Sequence, residues 1–111
     1  MEVQAVAKYI RMSSRKARLV VDMVRGMQAQ AALDLLKYVP KAAAAPVSKV
    51  IRSAVANAEE NYGLSRDDLY ISEIAADEGP TLKRGRFGAR GRFKPILKRS
   101  THLKVVLSSK D

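Results

Sequence analysis

The sequence predicts a fold of mixed α and β class, in which three amphipathic helices follow an N-terminal strand and two further strands enclose a long basic hairpin. Three observations support this prediction. Apolar residues recur with helical spacing between residues 14 and 61, they alternate with polar residues around 2–10 and 69–78, and residues 79–101 combine few apolar side chains with many cations. The length of 111 residues suits one domain, residues 1–111, with a modest core.

The first strand and the first helix are predicted from residues 2–26. Residues 2–10 alternate weakly, and one face of this strand carries Val3, Ala5, Ala7 and Tyr9. Ser13 or Ser14 supplies the hydroxyl that caps the following helix, and Gly26 marks its end. The predicted inward residues of this helix are Leu19, Val20, Met23 and Val24.

Two further helices are predicted between residues 28 and 63. The shorter one covers residues 28–38 and is closed by Pro40. Its predicted inward residues are Ala32, Leu35, Leu36 and Val39. The longer one covers residues 42–61, with Pro46 near its start, where a missing N–H is tolerated, and Gly63 at its end. Its predicted inward residues are Val47, Val50, Ile51, Ala54, Val55 and Ala58.

The C-terminal part is predicted to form two strands joined by a hairpin arm. Strand alternation begins at Leu69, and the last strand covers residues 103–107. A structureless loop over the intervening residues, about 79–101, is improbable in a compact domain, so we interpret them as an arm that extends by about 30 Å. An isolated hairpin buries little, and the shape of the arm is therefore expected to depend on a partner.

The charge balance points to a polyanionic partner. Lys and Arg number 21 and Asp and Glu number 11, which gives a formal net charge of +10 and favours nucleic acid over a membrane surface. Residues 8–18 and 83–99 contain cations and no acid, whereas residues 59–78 hold seven of the 11 acids. The folded molecule is expected to have a basic side and an acidic side.

The arm carries the stronger of two predicted nucleic-acid contacts. Guanidinium groups pair with phosphates, and the rings of Phe87 and Phe93 suit stacking on unpaired bases. The alternative is a solvated basic loop or a localisation signal. Eight like charges repel one another unless an anion screens them, which favours nucleic acid. The eight cations are Lys83, Arg84, Arg86, Arg90, Arg92, Lys94, Lys98 and Arg99.

The second predicted contact is the start of the first helix. Free N–H groups and the helix dipole add to the cations there, a combination that suits a phosphate. The alternative is an ordinary capped helix with a solvated face. The residues concerned are Arg11, Ser13, Ser14, Arg15, Lys16 and Arg18. His102, at a strand start, is either satisfied within the fold or free to contact a phosphate.

The composition excludes several classes of function. The chain has no Cys and one His, which excludes disulfides, thiolate zinc sites, thiol nucleophiles and histidine-based catalytic clusters. Asp77 and Glu78, followed by Gly79-Pro80, are interpreted as a strand end rather than as metal ligands. No apolar run approaches the roughly 20 residues of a membrane span. We expect a soluble intracellular protein that is not an enzyme and needs no cofactor or metal.

A nucleic-acid chaperone or a DNA-binding regulator would have a similar net positive charge, but the sequence offers no recognition helix.

Several segments, in order along the chain, resemble the family of bacterial large-subunit ribosomal protein twenty-two. Residues 11–20 (RMSSRKARLV), followed by Arg25-Gly26, are similar to its first-helix signature, and residues 53–61 (SAVANAEEN) to its third-helix motif. Residues 77–84 (DEGPTLKR), 89–92 and 98–102 follow its arm and closing strand. One departure is Phe87-Gly88, where members of the family often have Pro-Arg.

The resemblance implies an α+β fold of three helices packed on a small three-stranded antiparallel sheet, with a long basic β-hairpin arm. It also implies a structural constituent of the large ribosomal subunit in the cytoplasm. Such a protein binds large-subunit ribosomal RNA, supports subunit assembly and lines the nascent-peptide exit tunnel with its arm. The implied partners are this RNA, neighbouring large-subunit proteins and the nascent peptide, with no membrane and no small-molecule substrate.

The site residues carried over by position form three groups. The expected RNA contacts of the body are Arg11, Ser13, Ser14, Arg15, Lys16 and Arg18, to which we add Arg25 and His102. The expected RNA contacts of the arm are its eight cations. The residues expected nearest the tunnel are Phe87, Gly88, Ala89, Arg90 and Gly91.

Overall fold

A three-stranded antiparallel sheet carries three helices on one face in the computed structural model, which describes residues 2–80, 82–87 and 93–109. The elements in chain order are β1 (Glu2–Ile10), α1 (Ser14–Val24), α2 (Ala29–Leu36), α3 (Ala44–Tyr62), a 3₁₀ turn (Arg66–Asp68), β2 (Leu69–Glu78), β3 (Leu82–Phe87), β4 (Phe93–Lys98) and β5 (Thr101–Ser109). The predicted α+β class and the three helices are confirmed.

The central strand of the sheet is β5, which pairs with β1 on one side and with β2 on the other. β3 and β4 pair with each other as a separate antiparallel hairpin, from Leu82 opposite Lys98 to Phe87 opposite Phe93. The hairpin therefore leaves and rejoins the sheet where β2 ends and β5 begins. We call this end of the sheet the arm end, and the opposite end the far end.

The first strand departs from simple alternation at its end. Val3 is buried and Ala5 and Ala7 pack partly buried against the core, but Tyr9, which the alternation places on the same face, is exposed. The cause is a shift in the β1–β5 register between Ala7 and Ile10, where Tyr9 adopts a positive φ of 59°. Such a bulge turns the side chain away from the core.

A second register shift lies in β2, between Ile71 and Glu73. Leu69 and Ile71 face the core before the shift, and Ile74 and Ala76 face it afterwards. The alternation of buried and exposed side chains is therefore offset by one residue after the shift. This is expected where one strand of an antiparallel pair contains an extra residue.

The buried face of α1 differs from the predicted one. Val20 and Val24 are buried as predicted, but Leu19 is 55% exposed and Met23 is 42% exposed. Ala17 and Val21 occupy the core instead. The spacing of either set fits a helix, and the set that is buried includes a small residue, which lets α1 approach its neighbours closely.

A similar difference occurs on α2, where Ala32 and Leu36 are buried as predicted but Leu35 is half-exposed. Ala29 and Leu33 complete the buried face. Val39 is partly buried against the core.

The longest helix, α3, agrees with its prediction most closely. All six predicted inward residues are buried. Pro46 lies in the first turn, and Gly63 ends the helix in the left-handed conformation, with φ of 64°. α3 begins beside β1 and runs to the far end, where the 3₁₀ turn leads into β2.

Leu33 and Leu35 on α2 provide a matched pair of mutations that tests which face of the helix is buried. Leu33 is on the buried face in the structure, and Leu35 is on the face that the sequence predicted to be buried. Leu33 is 8% exposed and Leu35 is 36% exposed. We expect Leu33→Ala to lower the free energy of unfolding by about 2–4 kcal/mol, because truncation of a buried leucine leaves a cavity. Leu35→Ala should lower it by less than about 1 kcal/mol. Urea unfolding followed by circular dichroism measures both, and equal losses would contradict the observed face.

Candidate nucleic-acid interface

The start of α1 lies at the arm end and presents free donors and cations. Ser13 has extended backbone angles, and its Oγ accepts a hydrogen bond from the N–H of Lys16 at 3.4 Å. The hydroxyl thus caps one of the N–H groups that a helix leaves without an internal partner. The first turn holds no acid, and Arg15 and Lys16 are both exposed.

A pocket of about 370 Å³ at this point joins the two basic segments of the sequence. Arg15 comes from the first segment and Arg99 from the second, so residues far apart in the chain line one cavity. Its lining residues are Ser13, Ser14, Arg15, Glu78, Gly79, Arg99 and Ser100. Two guanidiniums, a helix N-terminus and serine hydroxyls together suit an anion the size of a phosphate. Glu78 is the one acid among them.

Hydrogen bonds between the chain segments hold the arm end together. The N–H of Gly79 donates to the carbonyl of Ser100 at 3.0 Å, and Ser100 Oγ donates to the carbonyl of Pro80 at 2.6 Å. Thr101 is fully buried and donates from Oγ1 to the carbonyl of Met12 at 2.8 Å. This last bond ties β5 to the segment between β1 and α1, and so fixes where α1 begins.

The close approach at Gly79 favours glycine, because Ser100 and His102 would have to move to admit a Cβ. A Cβ at this position would lie 2.6 Å from Ser100 Oγ and 3.1 Å from His102 Cε1, both inside normal contact distance. The absence of a side chain therefore lets the end of β2 pass beside the start of β5. The Gly-Pro pair marked a strand end in the sequence, but it did not indicate this contact.

His102 contacts the bulge in β1. Its Nδ1 accepts a hydrogen bond from the N–H of Tyr9 at 3.1 Å, and the two rings meet edge to face with centroids 4.9 Å apart. Because Nδ1 is the acceptor, the proton of the neutral imidazole lies on Nε2. His102 is therefore partly satisfied within the fold and keeps one donor for an outside group.

Arg18 of α1 and Arg25, which directly follows α1, make contacts inside the protein. Arg18 donates from Nε to the carbonyl of Ala76 at 3.0 Å. Arg25 donates to the carbonyl of Ile74 at 2.9 Å and pairs with Asp22 at 2.5 Å. Both side chains fasten α1 to β2, and each guanidinium retains further N–H groups that can meet a phosphate.

The remaining predicted site residues divide by position. Arg11 is exposed and is not among the residues that line the pocket, whereas Ser14 is buried and lines it. The hairpin strands carry Lys83, Arg84, Arg86, Phe87, Lys94 and Lys98, and the side chains of these residues lie outside the described part of the chain. Also outside it are Gly88, Ala89, Arg90, Gly91 and Arg92.

The acidic residues are separated from the basic ones less completely than the predicted acidic side and basic side of the molecule require. Glu59 and Arg66 form an ion pair of 2.8 Å at the far end, and the hydrogen bond with Glu59 raises the pKa of Arg66. Asp67 and Asp68 lie in the adjacent 3₁₀ turn. Glu78, in contrast, lies at the arm end among the cations.

Neither a metal centre nor a membrane span is found among the residues that the structure describes. No three His, Cys, Asp or Glu side chains within residues 2–80 and 99–109 are grouped to hold a metal ion. None of the three described helices is long and apolar enough to cross a membrane.

Comparison with known proteins gives one consistent result. Residues 5–108 match the family model described as ribosomal protein L22p/L17e. The chain is similar to the large ribosomal subunit protein uL22 of Clostridium novyi (strain NT), with 51% identity over 110 residues that cover 99% of each chain. It is also similar to the protein of that name from Thermoanaerobacter sp. (strain X514), with 46% identity over 111 residues and complete coverage of both chains.

Proposed function

Because this chain belongs to the ribosomal protein L22p/L17e family, we propose that it binds large-subunit ribosomal RNA, supports assembly of the subunit and lines the nascent-peptide exit tunnel with its arm. Its coarser role follows from the family: it is a structural, non-enzymatic constituent of the large ribosomal subunit in the cytoplasmic ribosome. The resemblance inferred from the sequence is thereby confirmed. We further propose that residues 1–111 form one ribosomal-protein domain with an arm at about 79–101.

The observation that carries RNA binding is the pocket at the start of α1. An RNA phosphate placed there would meet the guanidiniums of Arg15 and Arg99 and the positive end of the helix. Hydrogen bonds between ionised partners are about twice as strong as neutral ones. The pocket lies where the body meets the arm, so one RNA segment bound there would contact both.

The hairpin supports the same partner through its register. In the backbone register of the hairpin, Arg86 is the partner of Lys94, so two residues of like charge share one position of the ladder. Like charges in this position destabilise a hairpin unless an anion lies between or beside them. A polyanion is therefore expected to stabilise the arm as well as to bind it.

The length of the arm supports a place in the tunnel wall. Each hairpin strand has six residues, which span about 20 Å before the turn is counted. The longest dimension of the molecule is 65 Å, so the arm can contact RNA and the growing peptide well away from the body. Neighbouring large-subunit proteins are the expected contacts of the remaining surface.

Arg15→Ala combined with Arg99→Ala tests the RNA-binding pocket. Each cation that meets a phosphate displaces about one counterion, so the slope of log affinity against log salt should become shallower by about 1.4–1.8. Filter binding to large-subunit ribosomal RNA at several salt concentrations measures this slope. The matched control is Arg66→Ala combined with Lys104→Ala, which removes the same charge from residues paired with Glu59 and Glu73. An equal change in both proteins would show that net charge, and not the pocket, sets the affinity.

Deletion of residues 86–92 tests the arm. The sheet and the α1 pocket lie outside the deletion, so the protein should still fold, bind ribosomal RNA and enter large subunits. Stalling by nascent peptides should change, because the tip would be absent from the tunnel wall. A stalling-peptide reporter measures this, with Arg90→Lys and Arg92→Lys as the charge-preserving control. Normal incorporation with unaltered stalling would place the arm elsewhere.

A further inference from the structure

We propose that the N-terminal half of α3, with the turn that precedes it, is a separate RNA-binding surface that takes a phosphate strand and one unpaired base. This inference rests on the proposed function for the identity of the RNA, and it adds a region that the α1 pocket and the arm do not include. We call the region the α3 groove. It consists of two adjoining pockets that share Ala45 and Arg52.

The two pockets lie on either side of the start of α3. One, of about 340 Å³, lies between α2 and α3 and is lined by Lys37, Lys41 and Ser48. The other, of about 530 Å³, lies between α3 and β1 and is lined by Pro46, Lys49 and Ser53. The two pockets therefore meet at Ala45 and Arg52 on α3, and both have apolar side chains and cations among their lining residues.

The charges of the α3 groove favour an anion. Lys37, Lys41, Lys49 and Arg52 are all exposed, and residues 35–58 contain no acid. Lys37 lies 3.7 Å from Asp34. The other three make no ion pair within the part of the chain that the structure describes. Neighbouring cations that lack an acidic partner repel one another and are stabilised by a bound polyanion.

An aromatic side chain distinguishes RNA from other anions. Tyr38 is 84% exposed in the turn between α2 and α3, with Lys37 beside it and Lys41 three residues further on. Recognition of unpaired RNA bases relies on aromatic rings that stack on the base while cations hold the backbone. The backbone N–H of Tyr38 donates to the carbonyl of Leu35 at 3.1 Å, and its side chain makes no hydrogen bond with the described residues, so the ring is available for such stacking.

The position of the α3 groove makes it compatible with the α1 pocket. Its β1 side is formed by Val6, Ala7 and Ile10, and Ile10 pairs with Thr101 at the arm end. Arg11 follows Ile10 directly and leads to the start of α1. The α3 groove and the α1 pocket therefore lie on either side of the end of β1, and a folded RNA can contact both.

The test uses the full chain and large-subunit ribosomal RNA. Lys41→Ala, Lys49→Ala and Arg52→Ala together should make the slope of log affinity against log salt shallower by about 2–3. Hydroxyl-radical footprinting should show a lost segment of RNA protection that differs from the segment lost with Arg15→Ala and Arg99→Ala. The matched control, Lys41→Arg, Lys49→Arg and Arg52→Lys, keeps every charge and should keep the footprint.

Tyr38→Ala separates stacking from charge. It should weaken binding by roughly 5- to 160-fold, since one stacked base contributes that much, and it should leave the salt slope unchanged. Circular dichroism checks that each variant keeps its helices.

The outcomes separate this inference from the proposed function. If the wild-type chain does not bind the RNA, the proposed function and the inference about the α3 groove are both wrong. If it binds and the triple alanine variant has the same slope and footprint, the α3 groove is not an RNA surface while the proposed function stands. If that variant keeps its RNA footprint but no longer retains a neighbouring protein in reconstituted subunits, the α3 groove binds protein and our inference is overturned.

Discussion

The pairing of β5 with both β1 and β2 is the interaction on which the rest of the structure depends. Because β5 is the central strand, the hairpin must leave and return at one end of the sheet. The buried bond from Thr101 to Met12 then fixes the start of α1 at that same end. Two basic segments that are remote in sequence are thereby brought to one cavity. A hydrogen bond to a buried group is costly to lose, at about 1–3 kcal/mol, so this arrangement is maintained by the core.

The electrostatics follow from this arrangement. The core is built from aliphatic side chains, and no side-chain polar atom that is buried in the described residues lacks a partner. The charges therefore lie on the surface, where they repel one another at the arm end. That repulsion destabilises the free protein. A bound polyanion stabilises it, because each phosphate contact relieves part of the repulsion. Stability and RNA binding are in this sense coupled through the same cations.

The sequence predicted the elements well and the packing details less well. The three helices, the strands, the hairpin and the inward face of α3 could be inferred from local periodicity. Local periodicity predicts Leu19, Met23 and Leu35 in the core because large apolar side chains dominate such a pattern. In the folded protein it is small residues such as Ala17 that allow the helices to pack closely. The bulge at Tyr9 depends on pairing with β5, which local sequence does not encode. The pocket that Arg15 and Arg99 share depends on the same long-range pairing, which local sequence does not encode. The cations of the α3 groove are too far apart along the sequence to stand out as a cluster.

The most direct test of the central claim is whether Arg15 and Arg99 contact the same RNA. The chain contains no cysteine, so Arg15→Cys and Arg99→Cys each provide one attachment point for a tethered iron chelate. Directed hydroxyl-radical cleavage of bound large-subunit ribosomal RNA then reports the nucleotides beside each position. We expect overlapping cleavage from the two positions, because both line one pocket. Cleavage of two separate RNA segments, with no shared nucleotides, would contradict the account.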